Sequence, residues 1–149
     1  MPKFSTTRRV NHTPDHMFDL VADVERYPQF LPLCEALRVR SRKERDGKVV
    51  LIADMTVGYK AIRETFTSQV VLDRGSHVIE VKYLDGPFRY LNNIWAFRET
   101  AEDGCEVAFD IDYEFKSRLL GMVMGTMFDK AFRTFAEAFE KRADTIYGV

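Results

Sequence analysis

Cysteine is scarce in this chain, since only Cys34 and Cys105 occur among its 149 residues. Two thiols fit neither a disulfide framework nor a cysteine metal cluster, which favours unpaired thiols in a reducing compartment. The N-terminal residues lack an apolar signal core, and no stretch approaches the ~20 apolar residues that a membrane-spanning helix needs. These absences predict a soluble cytoplasmic protein, with at most a peripheral association with the inner membrane.

Recognisable catalytic and metal-binding motifs are also missing. The three histidines, His12, His16 and His77, show neither ligand spacing to the cysteines nor the spacing of a helical histidine pair. The chain contains no nucleophile elbow and no phosphate-binding glycine loop. The sequence therefore predicts no metal, no cofactor and no catalytic residue.

Positive and negative residues are nearly equal in number. The chain has 22 Lys and Arg residues and 23 Asp and Glu residues, which gives a formal net charge of -1. The whole molecule therefore offers no general attraction for nucleic acid or an anionic membrane. One segment departs from this balance, and we call it the basic strip: Arg38, Arg40, Arg42, Lys43, Arg45 and Lys48. It fits either a solvated strand edge that resists aggregation or a patch for anionic lipid headgroups or RNA.

The last segment, from Ser117 to Tyr147, has the pattern of one long amphipathic helix. Its apolar stripe comprises Leu120, Met124, Met127, Phe128, Ala131, Phe135, Ala138 and Phe139. Charged residues occupy the opposite side. Such a stripe requires a broad hydrophobic partner surface, and at about 1.5–3 kcal/mol per buried large side chain its burial is a major contribution to folding.

The first turns of this helix are apolar on nearly all sides and contain two glycines, Gly121 and Gly125. The favoured interpretation is close packing of the glycines on a sheet. The alternative is that they weaken the first turns so that a lid can lift, with Leu119, Met122 and Val123 then touching a bilayer.

The middle of the chain alternates apolar and polar residues, as half-buried strands do. A first strand at 4–10 and a helix after Thr13-Pro14 precede it, followed by a short apolar segment. About six strands follow, separated by turns such as Asp46-Gly47 and Asp85-Gly86-Pro87. We therefore expect a single α+β domain over 1–149, in which a curved antiparallel sheet wraps around the C-terminal helix, with two short helices after the first strand.

Four sequence segments, taken in order, resemble those of a known family: 23–34 (DVERYPQFLPLC), 86–97 (GPFRYLNNIWAF), 113–121 (YEFKSRLLG) and 138–143 (AFEKRA). The chain resembles the START, or helix-grip, superfamily. More narrowly it is similar to the coenzyme Q-binding START-domain family, also called polyketide cyclase-like and ribosome association toxin-like. The resemblance implies a hydrophobic cavity between sheet and helix, ubiquinone or a related polyprenyl lipid as ligand, and a role supporting respiration.

The residues expected to contact this ligand are aromatic or apolar, with one amide among them. They are Phe66, Tyr83, Phe88, Leu91, Asn93, Trp95, Phe97, Phe109, Tyr113, Leu120, Met124, Met127 and Phe128. The alternative is that the same residues form a packed core. Glu64 and Ser68 share the predicted inner face, and we expect them to contact a quinone headgroup or to form interior hydrogen bonds.

The sequence thus favours a non-catalytic protein that delivers ubiquinone to respiratory or quinone-biosynthetic enzymes and visits the membrane surface transiently. One alternative is a ribosome-association toxin that uses the basic strip to block subunit joining. Another is an enzyme of the polyketide cyclase or aromatase type, with Glu64 or Tyr83 as acid or base.

Overall fold

The computed structural model describes residues 3–148. Seven strands and two α-helices follow one another along the chain. They are β1 (Lys3–Val10), α1 (Pro14–Ala22), β2 (Cys34–Arg45), β3 (Lys48–Tyr59), β4 (Ile62–Asp73), β5 (Val78–Asp85), β6 (Phe88–Thr100), β7 (Gly104–Phe115) and α2 (Arg118–Tyr147). A 3₁₀ helix, Val24–Gln29, follows α1, and a short 3₁₀ turn, Ala101–Asp103, joins β6 to β7.

The seven strands form one antiparallel sheet in the order β1-β7-β6-β5-β4-β3-β2, so β1 and β2 are its edges. Short turns join the consecutive strands from β2 to β7, whereas α1 and the 3₁₀ helix lie between β1 and β2. At the turn between β2 and β3, Asp46 and Gly47 both have positive φ, 53° and 80°, which is the backbone that suits a two-residue hairpin. The predicted curved antiparallel sheet around a long C-terminal helix is confirmed.

The helix α2 begins where the sequence predicts, because the Ser117 side chain accepts a hydrogen bond from the backbone N–H of Leu120 at 3.1 Å. Its aromatic side chains pack against rings of the sheet. Phe139 lies 5.1 Å from the Trp95 ring, and Phe132 lies 5.1 Å from the Tyr113 ring. Phe132, which the predicted stripe omitted, is therefore a main contact between helix and sheet. Within residues 3–148, no helix combines the length and the apolar character needed to cross a membrane.

Both cysteines are unpaired and buried. Burial raises the pKa of each thiol, Cys34 and Cys105, to about 11. Thiols with such pKa values stay protonated at neutral pH and are poor nucleophiles.

The prediction that the two α2 glycines pack closely on the sheet is wrong. A Cβ added to Gly125 would meet no atom within 4 Å, and one added to Gly121 would meet Phe115 at an ordinary 3.7 Å. Since no close approach demands glycine, both residues simply weaken the first turns of α2, each by about 0.5–1 kcal/mol relative to alanine.

Replacing Gly125 with alanine is therefore expected to raise the free energy of unfolding by roughly 0.5–1 kcal/mol, measured by urea denaturation. Gly86→Ala is the matched control, because Gly86 has φ 141° and its added Cβ would lie 2.6 Å from the Cβ of Phe66. We expect that control to lower the stability by about 1–3 kcal/mol. A destabilising Gly125→Ala would mean that this position needs glycine after all.

Candidate ligand-binding cavity

A cavity of about 100 Å³ lies between the concave face of the sheet and α2. Its walls come from three parts of the chain. The sheet contributes Leu37, Ala53, Met55, Val57, Phe66, Ser68, Val70, Ile79, Val81, Leu91, Asn93, Trp95, Phe109 and Ile111. The helix α2 contributes Phe128, Ala131, Phe132, Phe135 and Phe139, and the segment before β2 contributes Val24, Tyr27, Leu31, Pro32 and Leu33.

Part of the predicted ligand-contacting set lines this cavity. Phe66, Leu91, Asn93, Trp95, Phe109, Phe128 and the predicted headgroup residue Ser68 are on the wall. These residues come from β4, β6, β7 and α2, because alternate residues of neighbouring strands point to the same face of the sheet.

The remaining predicted residues lie elsewhere in the structure. Tyr83, Phe88, Phe97, Tyr113, Leu120, Met124, Met127 and Glu64 are not on the cavity wall. Phe88 is fully buried behind it, with its ring 5.3 Å from Phe66 and 5.9 Å from Phe128. For Phe88 the packed-core alternative therefore describes the structure better.

The cavity wall also includes a segment that the sequence analysis treated only as a connection. Tyr27 reaches the cavity from the 3₁₀ helix, and Leu31 and Leu33 reach it from the stretch between that helix and β2. Leu33 has φ 67°, a left-handed conformation that is uncommon for a bulky residue. The available signal was composition, because a connection rich in apolar residues is unusual on a surface.

Among the lining residues, Tyr27, Ser68 and Asn93 carry a hydroxyl or an amide, and they differ in how these groups are hydrogen-bonded. The Tyr27 hydroxyl donates to the carbonyl of Val21, and burial strongly raises the pKa of Tyr27. The Asn93 amide donates through Nδ2 to the carbonyl of Asp110 at 2.9 Å. The Ser68 Oγ is buried and has no hydrogen-bond partner among the described residues. Ser68 is therefore one cavity group with unused hydrogen-bonding capacity.

The structure contradicts the predicted acid or base inside the cavity. Glu64 shares the concave face with the wall residue Val57, but it is half-buried and does not line the cavity. The Tyr83 hydroxyl accepts a hydrogen bond from the backbone N–H of Phe88 at 3.1 Å. Among residues 3–148, the lining contains no carboxylate, imidazole, amine, guanidinium or thiol. This lining can enclose an apolar molecule and hydrogen-bond one oxygen, but it offers no general acid or base of ordinary pKa.

The basic strip does not keep the regular alternation predicted for it. A bulge between Val39 and Ser41 places Arg38 opposite Asp54 but Arg42 opposite Leu51, which is a core residue. Since directly opposed residues share a face of the sheet, Arg38 lies on the outer face and Arg42 on the concave side.

Two members of the basic strip are already paired with carboxylates. The Nε of Arg40 lies 2.7 Å from Asp54, and the Nζ of Lys48 lies 3.7 Å from Asp73. The other four make no ion pair with any residue in the described range: Arg38, Arg42, Lys43 and Arg45. The charge available to a partner is thus smaller than the sequence suggests.

Residues 10–140 match the protein family described as polyketide cyclase / dehydrase and lipid transport. The chain is 35% identical over 132 residues to the ribosome association toxin RatA of Pseudomonas aeruginosa, covering 89% of this chain and 88% of that protein. It is 31% identical over 150 residues to the mitochondrial coenzyme Q-binding protein COQ10 homolog B of Xenopus laevis, covering 98% of this chain and 59% of that protein.

Solved structures share the whole fold. An 18 kDa protein of Caulobacter crescentus superimposes with a TM-score of 0.80 at 34% identity, covering 100% of both chains. A START superfamily protein of Mycobacterium smegmatis superimposes with a TM-score of 0.79 at 19% identity, covering 97% of this chain and 98% of that one. The second likeness establishes the fold alone, which is START-like as the sequence predicts.

The Ser68 hydroxyl has no hydrogen-bond partner among residues 3–148, and a measurement of protein stability can test this. Ser68→Ala is expected to leave the free energy of unfolding unchanged or to raise it by up to about 1 kcal/mol, because it removes a buried polar group that forms no bond. Urea denaturation measures the change.

The neighbouring hydroxyl provides the control, since Thr67 Oγ1 donates to Asp54 Oδ1 at 2.6 Å. Thr67→Ala should therefore lower the stability by roughly 1–3 kcal/mol. If Ser68→Ala costs as much as Thr67→Ala, the Ser68 hydroxyl has a partner and the cavity lacks its free polar group.

Proposed function

Because the chain belongs to the polyketide cyclase / dehydrase and lipid-transport family, we propose that it is a non-catalytic binding protein for ubiquinone or a related polyprenyl lipid. The observation that carries the proposal is the Ser68 Oγ on the wall of a largely apolar cavity, since this hydroxyl has no hydrogen-bond partner within residues 3–148. A quinone oxygen accepts a hydrogen bond and its ring and tail are apolar, so the chemistry is complementary. The relative named as a coenzyme Q-binding protein supports this ligand class.

The size of the cavity determines how such a ligand binds. About 100 Å³ is less than the ~150 Å³ of a cavity that takes up benzene, so a whole polyprenyl lipid requires expansion. The unbranched side chain of Met55 and the glycine-weakened first turns of α2 are suited to that movement. In this proposal the first turns act as the lid, and their displacement sets the rate of lipid exchange.

A carrier also requires that the lipid leave the cavity again. Moving a methylene group from water into the cavity is favourable by about 0.8 kcal/mol, but moving it from water into the bilayer interior is favourable by a similar amount. The net free energy of moving a tail from membrane to cavity is therefore small, and contacts to the headgroup provide the discrimination. Reversible delivery to respiratory or quinone-biosynthetic enzymes is the role that this balance supports.

An enzymatic role of the polyketide cyclase or aromatase type is less well supported. Such chemistry needs a proton donor or acceptor within hydrogen-bond reach of the substrate, and neither Glu64 nor Tyr83 is on the cavity wall.

Ligand binding can be measured through Trp95, which lines the cavity, by titrating the protein with a short-chain ubiquinone and recording tryptophan fluorescence. Ser68→Ala is expected to weaken binding by roughly two- to tenfold, the effect of one hydrogen bond. Tyr113→Phe is the matched control, because the Tyr113 hydroxyl is also buried and has no partner in the part of the chain that the structure describes, but does not line the cavity.

The proposal requires that Tyr113→Phe bind like the unmodified protein. Equal losses in both variants would mean that the ligand does not contact Ser68. Native mass spectrometry of protein purified gently from a lysate that contains its own membranes identifies the natural ligand. A protein that never acquires a quinone, even from liposomes, would contradict the lipid-binding function.

A ribosome-directed role is the second candidate, and a specific observation favours it. The relative named ribosome association toxin RatA is 35% identical over 89% of the chain. Arg38, Lys43 and Arg45 are cations on the edge strand β2 and make no ion pair with the described residues. Such cations can contact RNA phosphates.

If this candidate is correct, ribosome binding measured by sedimentation should weaken steeply with salt. Changing Arg38, Lys43 and Arg45 to Gln should lower the slope of log K against log salt by about 2–3. The control changes three cations that already have carboxylate partners, Arg40, Lys48 and Arg63, to Gln. The same slope in the first variant and in the unmodified protein would exclude these three cations from ribosome binding.

A further inference from the structure

The first turns of α2 expose a compact apolar surface. Leu119, Met122 and Val123 are 71%, 79% and 46% exposed, whereas Met124 beside them is fully buried. Residues at spacing i, i+3 and i+4 lie on one face of a helix. These three side chains, which we call the apolar tip, therefore form a continuous surface on the side of α2 that faces away from the sheet.

No described part of the chain covers the apolar tip. At Gly125, less than one turn further along α2, an added Cβ would meet no atom within 4 Å. The turn between β5 and β6 adjoins the start of α2, since the carbonyl of Pro87 accepts a hydrogen bond from the backbone N–H of Lys116 at 2.9 Å. Leu84, near the end of β5, is 51% exposed.

The charges beside the apolar tip are mainly positive. Lys116 and Arg118 are exposed, immediately precede the tip, and make no ion pair with residues 3–148. Asp85, the last residue of β5, is an exposed carboxylate next to the adjoining turn. Exposed apolar side chains bordered by cations are complementary to a bilayer that contains anionic headgroups.

The position of the apolar tip relates it to the cavity. Phe128 lies on the same helix, less than two turns after Val123, and its ring is part of the cavity wall. We propose that the apolar tip, with Lys116 and Arg118, docks on an anionic phospholipid bilayer and brings this end of the cavity to the membrane surface. The purpose of docking rests on the lipid-binding function proposed above, but docking itself is measured without a ligand.

The test is flotation of the protein with vesicles of phosphatidylcholine, with and without phosphatidylglycerol. We expect binding to the anionic vesicles to fall at least about tenfold in Leu119→Gln/Met122→Gln, because glutamine retains helix propensity but loses the apolar contact. Lys116→Gln/Arg118→Gln should lose about tenfold on anionic vesicles and remain unchanged on neutral ones.

The matched control removes exposed apolar side chains elsewhere: Ile94→Gln/Ile146→Gln, at positions that are 43% and 50% exposed. It should float like the unmodified protein. Equal losses in the tip variant and in this control would overturn the proposal, since adhesion would then be non-specific.

Quinone titration in solution, followed through Trp95, separates this proposal from the lipid-binding function. If the unmodified protein binds quinone but does not float with anionic vesicles, docking is overturned and the lipid-binding function stands. If it floats but binds no quinone, docking stands and the lipid-binding function fails. A concentration-dependent dimer that Leu119→Gln/Met122→Gln disperses would assign the apolar tip to a second copy of the chain and overturn docking.

Discussion

The aromatic stripe of α2 must be buried against the concave face of the sheet, and the rest of the structure follows from that contact. Phe128, Phe132 and Phe139 meet rings from β6 and β7, and each buried phenylalanine contributes about 1.5–3 kcal/mol. A straight helix and a twisted sheet cannot touch along their whole length. Where they separate, large side chains from both surfaces leave a space between them, and the candidate site is that space.

The same contact explains why the cavity tolerates a free hydroxyl. A buried polar group without a partner costs about 1–3 kcal/mol, and the extensive ring packing around it offsets that cost. The Ser68 Oγ therefore marks a position where the protein gives up stability and leaves hydrogen-bonding capacity for a molecule it does not itself contain.

Local patterns sufficed to predict the fold. Alternation of apolar residues marked the strands, Asp46-Gly47 marked a hairpin, and Ser117 marked the start of α2. The site was predicted only in part, because its wall depends on contacts between distant segments. Phe66, Trp95 and Phe128 lie on the cavity wall, whereas Phe88 shares their pattern but lies behind the wall. The bulge after Val39, which turns Arg42 to the concave side, leaves no signal in residue type.

If quinones occupy the cavity, burial of the thiols limits their reaction with the ligand. Quinones are electrophiles that add to thiolates, and Cys34 directly follows the wall residue Leu33. With its pKa raised to about 11 by burial, Cys34 is a thiolate in only about one molecule in ten thousand at neutral pH. Burial of Cys34 thus leaves little thiolate to react with an electrophilic quinone held beside it.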